Sequence, residues 1–239
     1  MPIVFEDNGF IFWEDASWTP SLGMDSDKLP ECVSETKRRG LKGAFGTVPY
    51  FRESNLHFLR QLPWLRATQF WDVKLDSLSG LYGLGGLEFL RVSGKRPALA
   101  FEKLSSLRQL VWDHQNSDTG LDALEDLEMM HLWRYRAEGA GSFRLRLPES
   151  LTELRIFWSD IETLDGLGPL PKLATLELGR CRYLKSLGPL AESCPNLEQL
   201  LVTASGRLTA EEAKRASRGH PTLRRVFAAN KLLLDRSGD

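Results

Sequence analysis

Leucine and isoleucine punctuate the stretch from Leu151 to Leu190 at Leu151, Leu154, Ile156, Ile161, Leu164, Leu167, Leu170, Leu173, Leu176, Leu178, Leu184, Leu187 and Leu190. A helix repeats its apolar face about every 3.6 residues and a half-buried strand every two, and this spacing keeps neither period for long. Its period is composite. Each unit reads Leu-x-x-Leu-x-Leu, then a polar or small residue three positions on, then apolar residues at every third position until the next unit. The Leu-x-Leu alternation predicts a short strand with two inward residues. Spacing by threes predicts a 3₁₀ or extended return whose same-side residues recur each turn. One such unit cannot cover its own apolar face, so units stack.

Counting the first leucine of each unit gives starts at Leu65, Leu87, Leu107, Leu127, Leu151, Leu173, Leu197 and Leu223, separated by 22, 20, 20, 24, 22, 24 and 26 residues. Most starts have another apolar residue three positions earlier, as at Leu62, Leu84, Leu104, Leu124 and Leu170. The first unit departs from the pattern, with Thr68 at an inward position. Arg136 to Arg144, containing Gly139, Gly141 and Ser142, lengthens one unit and is expected to bulge. Thr209 to Gly219 reads as a helix: Thr209 and Glu212 form a capping box, Ala210, Ala213 and Ala216 suit its interior, and Gly219 before Pro221 stops it. Leu223, Val226 and Ala228 predict a final strand.

The first segment follows another pattern. Apolar runs on either side of Asp7-Asn8-Gly9 predict a β-hairpin over 3–13, because Asn-Gly is a favoured centre of a tight hairpin turn. Trp18 to Pro30 reads as a loop. A helix is expected over 30–39, entered after Pro30 and closed by Gly40. Leu41 to Phe45 reads as a degenerate first strand. A stack exposes an apolar end unless something covers it, so the expected division is an N-terminal cap over 1–60, about eight repeats over 61–230, and a C-terminal cap over 231–239 in which Leu232, Leu233 and Leu234 close the end.

Leu151-x-x-Leu154-x-Ile156-x-x-Ser159-x-Ile161 and Leu173-x-x-Leu176-x-Leu178-x-x-Cys181 resemble leucine-rich repeats, whose consensus has Asn or Cys where Ser159 and Cys181 stand. The triplet spacing of Ile161, Leu164, Leu167 and Leu170 is similar to the short repeats of the internalin and SDS22-like type. The resemblance implies an α/β solenoid: a leucine-rich repeat array with a curved parallel β-sheet on its concave face, 3₁₀, extended or short helical returns on its convex face, and the hairpin and helix as N-terminal cap. It also implies binding of a partner protein by the concave sheet.

The register assigns outward positions too. The middle outward column reads Gln69, Arg91, Val111, His131, Arg155, Glu177, Leu201 and Phe227, and the next reads Trp71, Ser93, Asp113, Trp133, Phe157, Gly179, Thr203 and Ala229. The expected partner-binding residues are Trp71, Arg91, Asp113, His131, Trp133, Arg155 and Phe157, with Trp158 just beyond. Tryptophan and arginine dominate binding energy at protein interfaces, each desolvated anchor contributing about 2 kcal/mol or more. The competing reading is that neighbouring side chains or a cap partly bury these aromatics.

Charge and chemistry change this picture little. With 31 basic and 32 acidic residues among 239, the formal net charge is −1, so neither nucleic acid nor membrane is an expected partner. Cys32, Cys181 and Cys194 are odd in number and irregularly spaced, which favours a reducing compartment over a disulfide framework. The first residues lack a basic lead and a long apolar run, so no signal peptide is expected, and no stretch has the length to span a bilayer. The expectation is a soluble, cytoplasmic, monomeric protein. His57, His114, His131 and His220 lack zinc-site spacing. Only His114 and His131, in neighbouring units beside Asp113, are placed to meet. Ser79 to Gly86 is glycine-rich but matches neither a dinucleotide fingerprint nor a P-loop. No catalytic residue, metal or cofactor is expected. The leading function is a non-catalytic protein-binding scaffold, and fold-level analogy adds an immunity or antitoxin-type inhibitor that covers an enzyme. The alternative is a regulatory subunit of an enzyme such as a phosphatase. An enzyme or host-directed effector is least expected, since the repeats and caps occupy nearly the whole chain.

Overall fold

A computed structural model describes residues 3–14, 20–137, 139 and 141–236, with Ile3 described in its backbone alone. The chain forms two compact units, Met1–Leu110 with Ser117–Gly120, and Val111–Asn116 with Leu121–Asp239.

In the first unit, β1 (Ile3–Asp7) and β2 (Phe10–Glu14) form an antiparallel hairpin turned by Asn8 and Gly9, both at positive φ. The segment after it, expected to be all loop, holds a short strand, β3 (Ser21–Gly23), antiparallel to β2 and parallel to β4 (Gly43–Thr47). Three residues carry no periodicity, and pairing on both sides supplies the order that local sequence does not signal. Trp18 lies outside the described residues. Helix α1 (Leu29–Arg39) ends at Gly40, whose φ of 63° lets its N–H reach Lys37 O while Leu41 N reaches Thr36 O. Strands β5 (Ala67–Lys74) and β6 (Phe89–Lys95) continue the parallel ladder from β4.

The triplet spacing is a hydrogen-bond pattern. Leu81 N donates to Leu78 O, Leu84 N to Leu81 O and Leu87 N to Leu84 O, at 2.9, 3.1 and 3.1 Å. Each leucine is one 3₁₀-like turn from the next, so all four side chains fall on one side, where they are buried. Strand β7 (Gln109–Asp113) follows, its first two residues in the first unit and the rest in the second.

The second unit is the more regular. Strands β8 (Met129–Trp133), β9 (Glu153–Phe157), β10 (Thr175–Gly179), β11 (Gln199–Thr203) and β12 (Arg225–Ala228) run parallel and in register. The carbonyl just before each strand accepts two N–H groups from the next repeat. Thr152 and Glu153 donate to Glu128 O, and Ala174 and Thr175 donate to Thr152 O. Met130, Leu132, Leu154, Ile156, Leu176 and Leu178 point inward without solvent exposure. Burying each such side chain is worth about 1.5–3 kcal/mol before entropy is subtracted.

At the consensus turn position, Ser159 Oγ donates to Tyr135 O at 2.8 Å and accepts from Ile161 N at 3.3 Å. Cys181 Sγ lies 3.7 Å from Ile156 O in the preceding repeat. A small donor there links neighbouring units where backbone pairing stops. Helices α2 (Leu190–Ser193) and α3 (Ala210–Ser217) lie in the later returns, and Thr209 caps α3 by accepting from Glu212 N at 3.1 Å. The chain then turns back as β13 (Lys231–Asp235), antiparallel to β12. Of the three leucines expected to close the apolar end, Leu232 departs from the expectation at 52% exposure, while Leu233 and Leu234 are half-buried.

Candidate interaction face

The outward residues form two groups, one in each unit. In the first, Trp71 packs against Trp13 at 5.4 Å and Phe45 at 5.9 Å between ring centroids, and Arg91 Cζ lies 5.0 Å from the Trp71 ring. Trp71 is half-buried. Beside it Gln69, outward by register, is only 2% exposed, with its Nε2 lacking a hydrogen-bond partner. The register fixes which side of the sheet a residue takes but not what covers that side. Strand β5 also runs longer than its counterparts, with a register shift between Phe70 and Val73 and Asp72 at a φ of 58°.

In the second unit the columns align as His131, Arg155 and Glu177, and as Trp133, Phe157 and Gly179. Trp133 and Phe157, both half-buried, meet with ring centroids 4.8 Å apart. Such an aromatic pair is worth about 0.5–1.5 kcal/mol beyond the area it buries. His131 stands edge-on to Phe157 at 6.5 Å. Gly179 makes the arrangement possible: a Cβ there would sit 2.5 and 2.7 Å from Phe157 Cδ1 and Cε1. The phenyl ring therefore lies over the backbone of β10.

A chain of charge runs alongside the rings. His131 Nε2 lies 3.1 Å from Glu153 Oε1, Arg155 Nε lies 2.8 Å from the same oxygen, and Arg155 NH1 lies 3.4 Å from Glu177 Oε2. The hydrogen bond with His131, helped by the charge of Arg155 and opposed by partial burial, holds the Glu153 carboxyl below its ordinary value. The remaining expected residues lie elsewhere. Asp113 is engaged by Arg134, and Trp158 turns away at a φ of 58°, 47% exposed, with Arg180 Cζ 4.5 Å from its ring. His114 packs edge-on to Tyr135 at 4.9 Å while His131 bonds Glu153, so the two histidines take different partners.

Sequence reasoning did not single out Trp13, Phe45, Glu153 or Arg180. Arg180 was readable, since it holds the position of Trp158 one repeat later. Trp13 was not, because hairpin placement lies outside the repeat. Among the described residues, no three His, Cys, Asp or Glu side chains gather as metal ligands would, and no helix is long and apolar enough to cross a membrane.

In sequence, the chain matches no family profile and no curated protein. In structure it is similar to an internalin C2 of Listeria monocytogenes, with a TM-score of 0.50 at 19% identity over 76% of this chain and 79% of the other. An internalin of the same organism, InlF, gives 0.48 at 15% identity over 85% and 64% of the two chains. The functional domain of InlJ, also from that organism, gives 0.41 at 13% identity over 74% and 42%. The likeness to internalin C2, together with the strand register and the 3₁₀ returns, shows a leucine-rich repeat fold.

Proposed function

We propose that the chain is a non-catalytic scaffold that binds a partner protein through the outward side chains of β8, β9 and β10, with Trp133 and Phe157 as anchors. The observation that carries this reading is the pair itself: two large aromatics in mutual contact, left half-exposed on a sheet face whose neighbouring charges already neutralise one another. A partner surface that covered the rings would desolvate area of the kind that dominates protein interfaces. His131 and Arg155 border the anchors, with Asp113 and Trp158 further out. Trp71 and Arg91 form a separate patch on the first unit.

The occupant is a folded protein rather than a small molecule, because Phe157 lies over Gly179 instead of lining a cleft. An immunity-type protein that covers an enzyme is the finer form of this reading. A reducing compartment suits Cys32, Cys181 and Cys194, all free and buried. The test is capture from native lysate with the immobilised protein and, in parallel, a Trp133→Ala/Phe157→Ala variant of unchanged melting temperature. A protein held by the first and lost by the second is expected. Identical capture by both would overturn the assignment.

A further inference from the structure

The turns that follow β9, β10 and β11 carry an imbalance of charge that the concave columns lack. Trp158 and Arg180 each follow their strand directly, in consecutive repeats, and Tyr183 and Arg207 hold the position three residues further on in the next pair. Neighbouring strands are about 4.8 Å apart, so equivalent positions touch. Arg180 Cζ lies 4.5 Å from the Trp158 ring, and Arg207 Cζ lies 4.9 Å from the Tyr183 ring. Both aromatics remain open, at 47% and 45% exposure. A guanidinium seated over a ring is pre-oriented, with donors still available to a planar anion.

The other cations of this rim are matched: Arg134 by Asp113, Arg136 by Asp160 at 3.3 Å, and Lys185 by Glu162 at 2.5 Å. Arg180, Arg182 and Arg207 have no carboxylate within ion-pair distance among the described residues. Trp158 and Arg180 also hold left-handed backbone, with φ of 58° and 57°, a conformation that costs L-residues about 1–2 kcal/mol.

We propose that this rim is a second docking surface, for an acidic segment of a protein. Carboxylates of the segment take Arg180, Arg182 and Arg207, and its apolar groups lie on the open edges of Trp158 and Tyr183. A protein fits better than a nucleic acid because Asp160 and Glu162 interrupt the rim. They would repel a backbone charged at every step, whereas a peptide can place its acids to avoid them. The rim shares Trp158 with the outer edge of the first reading but neither of its anchors, and substituting Arg180, Arg182 and Arg207 leaves Trp133 and Phe157 untouched, so the two readings are tested separately.

The test is fluorescence anisotropy with labelled decaglutamate at low salt, and labelled decathymidylate as the competing class. Four proteins are compared: wild type, Arg180→Ala/Arg182→Ala/Arg207→Ala, a charge-matched control Lys37→Ala/Lys172→Ala/Lys214→Ala, and Trp133→Ala/Phe157→Ala. Decaglutamate is expected to bind the wild type, the control and the aromatic variant alike, and to bind the rim variant about tenfold or more weakly, three exposed pairs having been removed. Equal weakening in the control, tighter binding of decathymidylate, or no decaglutamate binding by the wild type would each overturn the proposal. The substituted arginines are exposed, and matched melting curves verify that the variants fold.

Discussion

Replacing Gly179 with alanine tests the concave face at its narrowest point. The new Cβ would lie 2.5 Å from Phe157 Cδ1, 2.7 Å from Cε1 and 3.4 Å from Thr203 Oγ1. Carbon atoms in favourable contact sit about 3.5–4.0 Å apart, so the phenyl ring must move by about 1 Å or change rotamer. Gly179 is not in left-handed backbone, so the methyl brings no backbone strain. Overpacking a closed core costs about 1–3 kcal/mol, and a half-exposed ring with solvent on one side falls at the low end. Parting Phe157 from Trp133 removes about 0.5–1.5 kcal/mol. Against both, exchanging glycine for alanine in a strand recovers about 0.5–1 kcal/mol of backbone entropy.

The sum predicts a net destabilisation of about 1 kcal/mol, and for a chain of this size a melting shift of about 2–4 °C. Thermal denaturation measures the first quantity, and near-ultraviolet circular dichroism reports the parting of Trp133 and Phe157. The expected result is a melting temperature lowered by about 2–4 °C, an altered aromatic spectrum and weakened capture of the partner. An unchanged aromatic spectrum would refute the placement of Phe157 over Gly179. A large loss of stability would show that the ring is locked into the core instead of free to yield.

Two further substitutions address the core and the charge chain. Leu176→Ala removes a side chain with no solvent exposure from β10 and should cost about 2–5 kcal/mol in urea denaturation, while an exposed change such as Lys172→Ala should cost almost nothing. Equal effects would refute the inward register. Because the folded pKa of Glu153 lies below its unfolded value, its contribution to stability is present above the ordinary carboxylate value of 4.5 and is lost as pH falls through the lowered folded value. His131→Ala removes the largest cause of that lowering, so the variant should lose less stability than wild type between neutral and acidic pH. Urea midpoints that fall in parallel for both proteins would count against the bond.

The repeat was legible because burial on one face of a strand leaves the register no freedom. The strands β5 to β12 begin at Ala67, Phe89, Gln109, Met129, Glu153, Thr175, Gln199 and Arg225, each two residues after the leucine that opens its unit. A slip of one residue would turn every inward leucine to solvent. What sits on the outward columns was therefore legible too. What covers them was not: Gln69 and Arg91 stand at equivalent steps of β5 and β6, yet Gln69 is 2% exposed, in register with Phe45, which packs against Trp13 of a hairpin that no repeat positions. Three consecutive leucines suggest burial, but β13 is an edge strand paired on one side with β12, and it leaves Leu232 exposed and Leu233 and Leu234 half-buried.

Inward leucines hold the fold, so selection for stability alone would leave the turn after each strand to residues that tolerate its backbone. Glycine and asparagine are those residues, and Gly94 shows that this chain uses glycine at a positive φ of 100° where β6 meets the backbone of Val73. At the equivalent turns of the second unit stand Arg134, Trp158, Arg180 and Ala204 instead, at φ of 57°, 58°, 57° and 51°. Arg134 engages Asp113, which recovers part of the cost of its conformation. Trp158 and Arg180 each close the ladder, Trp158 N donating to Gly179 O and Arg180 N to Thr203 O at 2.9 Å, and their exposed stack adds about 0.5–1 kcal/mol. The ladder accounts for the positive φ at that position but does not call for a bulky side chain, so the exposed Trp158–Arg180 stack is the feature that the anisotropy experiment on the proposed rim probes.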